Sequence, residues 1–221
     1  MSLYSPYFII KSLQEALFRK YSGYLAGRVL DVGCGGKPCK DSLVSATGYV
    51  GLDLVAAGAP ECLGSACEIP FKDGSFDSVL CTEVLEHLPD PDKAISEIKR
   101  VLRKDGYLYV TVPQTWGLHY EPDDYWRFTQ YGIAYLLKRG GFTVVEMERV
   151  GGIISMVGQR VVDLIWNLAV SLLRSALGLR WAERLASLLI MPLSLAFYLS
   201  ALAADEINKE DALGWAVLVR K

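Results

Sequence analysis

The sequence predicts an α/β fold, a mostly parallel sheet with helices on both faces, and three observations predict it. Short apolar runs rich in β-branched residues and bounded by glycine alternate with stretches of helical periodicity. The runs at 28–32 and 49–53 both carry an aspartate at or near their carboxyl ends, where such sheets bind ligands. The chain has 221 residues, 52% apolar and 22% charged, enough for one sizeable core and far from a disordered composition.

Each element follows in order. Residues 7–21 read as a helix, because Phe8, Leu13, Leu17 and Tyr21 recur at roughly helical spacing and Gly23 and Gly27 end the pattern. Residues 28–32 and 49–53 are the first two strands, with a weak third near 61–63 and a stronger fourth at 76–81. Between 90 and 103 the pattern is helical, with Ala94, Ile95, Ile98, Val101 and Leu102 on one face. Asp105-Gly106 reads as a turn, residues 107–112 as the fifth strand, and Pro113 as its stop. A helix at 131–138 ends on Gly140-Gly141, followed by a sixth strand at 142–147 and a last one at 215–219.

Formal net charge is −2, with no run of lysine or arginine, so no field attracts a nucleic-acid backbone and a small-molecule partner is expected. Five cysteines, an odd number, predict a reducing, cytoplasmic setting, and the Cys34/Cys39 and Cys62/Cys67 spacings do not match a zinc clip.

Asp31-Val32-Gly33-Cys34-Gly35-Gly36 ends the first strand. The glycines permit a tight turn and close backbone approach, and the carboxylate before them suits a cationic amino-acid tail better than a pyrophosphate. Asp53, about twenty residues on, stands where an acid binds ribose hydroxyls in nucleotide-binding α/β folds. These segments resemble motifs I and II of the class I S-adenosylmethionine (SAM)-dependent methyltransferases, the type 11-like family. Residues 68–77, 83–88 and 98–108 resemble further segments of that family in its order. The resemblance implies a Rossmann-like seven-stranded, mostly parallel sheet and the cofactor S-adenosyl-L-methionine. It implies that Asp31 holds the methionine amino group, that the backbone of Gly33 and Gly35 faces the methionine, and that Asp53 binds the ribose. It also implies that Leu54 packs on adenine, that Ser65 and Ala66 meet the adenine edge, and that the Cys81 carbonyl lies near the amino group. Two departures stand out. Gly36 is one position early for the third glycine and is followed by Lys37, and Ser65 replaces the usual aspartate.

His87 and His119 are the only histidines and are the catalytic-base candidates. Glu83, Glu86 and His87, at i, i+3 and i+4, are expected on one helical face. That string resembles the metal-binding segment of ubiquinone-pathway O-methyltransferases; a structural or capping role is the first expectation for it, catalysis the second and a metal the third. Residues 119–129 concentrate aromatic rings, carboxylates and an arginine after the fifth strand. Tyr125, Trp126 and Arg127 would line an acceptor pocket, with Arg127 clamping an anion. Alternatively Arg127 pairs with Asp123 or Asp124, and Thr129 caps the next helix.

An apolar segment at 151–211 separates the last two strands. Val161, Leu164, Ile165, Leu168, Leu172 and Leu173 predict an amphipathic helix, and residues 185–204 carry no charge. Because both flanking strands belong to one sheet, a helical hairpin is expected rather than a single crossing. Its expected roles are a lid, a homodimer contact, a membrane-surface platform, which would make the protein membrane-peripheral, or a re-entrant or spanning hairpin. The expected organisation is one methyltransferase domain over 1–221 with 151–211 as an insertion, acting on a small or lipid-like acceptor. The alternatives are a non-catalytic SAM-binding or membrane-docking protein, and a nucleotide-dependent oxidoreductase, for which the GxGxxG spacing is missing.

Overall fold

The computed structural model describes residues 4–177, 179–206 and 210–221. Its strands are β1 (Gly27–Val32), β2 (Ala46–Asp53), β3 (Cys62–Leu63), β4 (Phe76–Thr82), β5 (Leu102–Pro113), β6 (Thr143–Val150) and β7 (Gly214–Arg220). The helices are α1 (Phe8–Tyr21), α2 (Pro91–Val101), α3 (Gln130–Arg139), α4 (Ile153–Leu177) and α5 (Leu179–Ala204). One seven-stranded sheet runs in the order β3-β2-β1-β4-β5-β7-β6. β1 pairs in parallel with β2 and β4, as do β2 with β3 and β4 with β5, while β7 pairs antiparallel with β5. The α/β class, the largely parallel sheet and the helical insertion between the last two strands are therefore as expected.

The strand order reverses beside β1, so the tips of β1, β2 and β4 open on the crevice where open α/β sheets bind ligands. The strands around that point are buried on both faces, with Val29, Leu30, Val79, Leu80, Leu108 and Val110 fully enclosed. α2 buries its predicted stripe; Asp90 caps it by accepting from the Lys93 N–H, and Pro91 opens its first turn. Thr129 caps α3 through the Gly132 N–H. The turn expected at Asp105-Gly106 lies inside β5. Asp105 takes a left-handed φ of 64° there, and the register with β4 shifts between Phe76 and Ser78. Between β1 and β2 the chain makes only a 3-10 turn, Lys40–Ser42, because Gly33, Gly35, Gly36 and Pro38 are poor helix formers.

The chain divides into two compact units, residues 17–148 with 214–221, and residues 1–16 with 149–213. The first holds the sheet apart from the last two residues of β6. The second holds the start of α1 and the α4–α5 hairpin, packed around Phe8, Ile9, Val162 and Ile190. α4 and α5 approach closely at Gly158, where a Cβ would lie 2.6 Å from the Phe197 ring. Asp205, just past α5, accepts from the Gly152 and Ile154 N–H groups at 2.8 Å each and from the Ser155 hydroxyl. It thereby supplies an anionic cap to the start of α4. α5 runs through Pro192 as a continuous helix.

Candidate active site

The glycine loop at the tip of β1 is built by conformational necessity. Gly33 has φ 69°, its N–H donates to the Leu52 carbonyl at 2.8 Å, and a Cβ there would meet Val84 at 2.3 Å. Gly35 has φ 48°, and its N–H donates to Asp53 Oδ2 at 2.9 Å. Asp53 Oδ1 accepts from the Val55 N–H, so the acid at the tip of β2 is bound to the loop at the tip of β1. The position that the family gives to its third glycine is Lys37, and Lys37 does adopt a left-handed φ of 58°. Holding a lysine there costs about 1 kcal/mol. Its ammonium donates to the Ala59 carbonyl at 2.6 Å and to Glu61 at 2.8 Å, which offsets the strain. Glu61 also accepts from the Gly51 N–H. Burial pushes the Glu61 carboxyl up, but Lys37 and that N–H outweigh it and hold the group at about 2.

Asp31 is 2% exposed. Its Oδ2 accepts from the Tyr49 hydroxyl at 2.6 Å, and its Oδ1 is buried without a partner. Burial pushes its pKa up to about 6 against the Tyr49 hydrogen bond, with Asp53 and Glu61 adding negative charge. An unpartnered carboxylate oxygen at the tip of β1 is what a cationic ligand group would satisfy.

A second cluster follows β4. Glu83, Glu86 and His87 do not share a helical face. Glu83 has φ 53°, incompatible with helix, and only Leu85–His87 forms a 3-10 turn. The turn instead brings Glu86 and His87 to His119 from the loop after β5, their ligand-type atoms all within 4.8 Å of one another. Glu86 is fully buried, with both carboxylate oxygens unpartnered. Burial, then the neighbouring Glu83, drives its pKa well above the usual carboxylate range. His87 Nδ1 lies 2.6 Å from the Asp123 carbonyl, and His119 Nδ1 lies 3.0 Å from the Gly117 carbonyl. A carbonyl only accepts, so both Nδ1 atoms carry hydrogen and both Nε2 atoms keep their lone pairs in the neutral rings. Those Nε2 atoms sit 3.8 Å and 4.0 Å from Glu86 Oε1. Two imidazoles fixed through Nδ1 and one unsatisfied carboxylate suit a zinc-like divalent cation, so the donors present fit a metal.

The loop carrying His119 is laced down. The Tyr125 and Trp126 N–H groups both donate to the Glu86 carbonyl, and the Trp126 indole donates to the Leu88 carbonyl at 2.8 Å. Arg127 spends all five donors internally, on Asp124 twice and on the carbonyls of Trp116, Trp126 and Gly117. It therefore staples the loop through Asp124, the second of its two expected roles, and the anion-clamp role is corrected because no donor is left for it. The Arg127 hydrogen bonds hold the Asp124 carboxyl well below the usual range. Tyr125 donates to Asp123 and keeps an exposed ring, as does Trp126.

The expected cofactor residues divide. Asp31, Gly33, Gly35 and Asp53 are linked at adjacent strand tips, and Val84 packs beneath Gly33. Cys81 lies in β4 directly beside Val32, which places its carbonyl at the same edge. Leu54 is exposed beyond Asp53, and Ala66 is buried. Ser65 accepts from the Cys67 N–H at 3.1 Å. All five cysteines are free thiols. Tyr49, Glu61, the anchoring role of Lys37 and the grouping of His119 with Glu86 were not anticipated from sequence. Strand alternation puts Tyr49 on the Gly51 side of β2, and Gly51 lies opposite Asp31. That register was the missing information.

A glycine loop at β1, an acid at the tip of β2 and an antiparallel β7 between β5 and β6 define the class I SAM-dependent methyltransferase architecture. The fold of this chain has that arrangement, and a stretch of it is similar in sequence to methyltransferases. Residues 30–110 match the methyltransferase domain family. A ubiquinone biosynthesis O-methyltransferase of Xanthomonas oryzae pv. oryzae is 33% identical over 137 residues, covering 52% of this chain and 54% of that protein. The chain thus spans about half the length of the curated relatives it matches. Among solved structures, the [4+2]-cyclase SpnF aligns with a TM-score of 0.60 at 21% identity, over 96% of this chain and 80% of that one. A Burkholderia thailandensis 1,6-didemethyltoxoflavin-N1-methyltransferase, bound to 1,6-didemethyltoxoflavin and S-adenosylhomocysteine, aligns with a TM-score of 0.58 at 18% identity, over 97% and 78%. At such identities the likeness is one of fold.

Proposed function

We propose that the chain binds SAM at the tips of β1 and β2 and transfers its methyl group to a small or lipid-like acceptor, at oxygen or nitrogen. The observation that carries this reading is the buried, half-unsatisfied Asp31 carboxylate beside a loop that Asp53 closes through Gly35. The SAM ammonium would take the free Asp31 oxygen, and the ribose hydroxyls would displace the Gly35 N–H from Asp53. Leu54, Ser65, Ala66 and the Cys81 carbonyl would complete the cofactor contacts. The sulfonium already activates the methyl, so the protein has to align acceptor, methyl and sulfur and to accept the acceptor's proton. The Nε2 lone pairs of His119 and His87 are the available bases, and the exposed rings of Tyr125 and Trp126 offer an acceptor surface.

The two unpartnered Glu86 oxygens favour a second reading of the same cluster, in which Glu86, His87 and His119 hold a divalent cation. Such an ion would lower the pKa of an acceptor hydroxyl. The near-neutral net charge supports a small-molecule acceptor over a nucleic acid, and the five free thiols support a cytoplasmic setting. The chain would act as one methyltransferase domain, with 151–211 as an insertion that contacts a membrane surface or a second copy.

The test is calorimetry with S-adenosylhomocysteine, followed by metabolite profiling with isotope-labelled SAM. Wild-type protein should bind, and Asp31→Ala and Asp53→Ala should each weaken binding by about tenfold or more. Affinity unchanged in both variants, or labelled methyl transferred to nothing, would remove the proposal.

A further inference from the structure

We infer that the α4–α5 hairpin docks on a lipid bilayer, lying in the plane of the headgroup–acyl boundary. The stretches Ile153–Ser175 and Ala182–Ala204 are long and apolar enough to cross a membrane, yet most of each lies unburied. They are therefore not core helices. Leu164, Leu168 and Leu172 on α4 and Leu188, Leu189 and Leu199 on α5 are each more than half exposed. A water-facing helix carries charges on its exposed side, but residues 185–204 of α5 carry none.

The charges that are present point to the interface rather than to a span. Arg160, Asn167 and Arg174 recur at seven-residue intervals, so they line one edge of the exposed α4 stripe. An apolar stripe with arginines along its edge seats its leucines among acyl chains and its guanidinium groups among phosphates. In a transmembrane arrangement, Asp163 would fall near the middle of the 153–175 stretch, with Arg160 less than one turn away. Burying a charge at that depth costs roughly 2.5–3.5 kcal/mol on insertion scales. The in-plane arrangement avoids that cost.

A second copy of the chain fits less well. Protein interfaces of ordinary size carry about ten hydrogen bonds, which set their register. The exposed side of α5 between Leu185 and Ala203 offers leucine, alanine, Pro192 and the Ser200 hydroxyl. Lipid needs no such register. This inference does not rest on methyl transfer, and the experiment keeps the two apart.

The full-length chain is floated with phosphatidylcholine vesicles, with and without about 30% phosphatidylglycerol. It should float with both, because Arg174 lies 3.6 Å from Glu183 and Arg160 lies 3.9 Å from Asp163, which limits the dependence on anionic lipid. Replacing Leu168, Leu172, Leu188 and Leu189 together by lysine should lower the floated fraction by about tenfold or more. Helicity and S-adenosylhomocysteine affinity should be unchanged. In a separate Leu189→Trp variant, which adds no charge, vesicles of brominated phosphatidylcholine should quench the new emission. Wild-type protein that floats with neither vesicle overturns the inference. So does a dimer that the lysine substitutions dissociate without any change in flotation, and so does a Leu189→Trp emission unaffected by brominated lipid.

Discussion

Lowering the pH should switch off cofactor binding through Asp31. Burial raises its pKa from 3.8 to about 6. A shift of that size corresponds to about 3 kcal/mol of preference for the neutral acid in the ligand-free fold. The folded pKa lies above the unfolded one. The stabilisation from protonated Asp31 is therefore complete below pH 3.8 and is lost as the pH rises through 6. A cationic ammonium beside Oδ1 reverses the preference, so the ligand selects the carboxylate. Affinity for S-adenosylhomocysteine should be flat above pH 7, about twofold weaker at pH 6 and about tenfold weaker at pH 5. Calorimetry in buffers of differing ionisation enthalpy should detect the release of nearly one proton at pH 5 and almost none at pH 7.5. Asp31→Asn should bind weakly with no pH dependence over this range. Without ligand it should resist denaturant better than wild type at pH 7.5, by up to about 3 kcal/mol. Affinity constant from pH 5 to 7.5, or the same slope in Asp31→Asn, would refute the reasoning.

Three further outcomes are expected. Gly33→Ala should destabilise the fold by roughly 2 kcal/mol or more in urea denaturation, since its Cβ would lie 2.3 Å from Val84 at φ 69°; Val84→Ala should recover part of the loss, and a melt equal to wild type would contradict this. Arg127→Lys loses the planar fork that holds Asp124 and three carbonyls, so limited proteolysis should cut residues 114–126 faster, whereas unchanged protection would show that the staple is dispensable. Zinc titrated against a chromophoric chelator should bind one equivalent in wild type and bind at least about tenfold more weakly in Glu86→Gln and His119→Gln, but not in Glu83→Gln; zinc affinity that falls only in Glu83→Gln would contradict the grouping.

Much of this architecture is legible without coordinates, for physical reasons that differ between elements. β1 and β5 are apolar runs stopped by glycine and proline respectively, β2 and β4 are short apolar runs containing β-branched residues, and the helical face of α2 repeats faithfully. The same rules misplace Glu83. Spacing of i, i+3 and i+4 predicts a common face only if the backbone is helical, and a left-handed φ at Glu83 breaks that premise. Its replacement in the cluster, His119, lies 32 residues beyond His87 and is delivered by a loop whose course depends on Arg127 and Asp124. Periodicity is silent about loops of that kind. The apparent fault in the glycine motif, Lys37, turns out to keep the backbone conformation a glycine would have and to use its side chain as an anchor. Tyr49 was hidden because strand register, not residue type, sets it against Asp31.

A crystal structure of the complex with S-adenosylhomocysteine is the sharpest single measurement. Both ribose hydroxyls should lie within hydrogen-bonding distance of the Asp53 carboxylate, with the Gly35–Asp53 bond released and the amino group on the Asp31 side of the loop. A nucleoside bound away from the β1 and β2 tips, with Gly35 still donating to Asp53, would contradict the account.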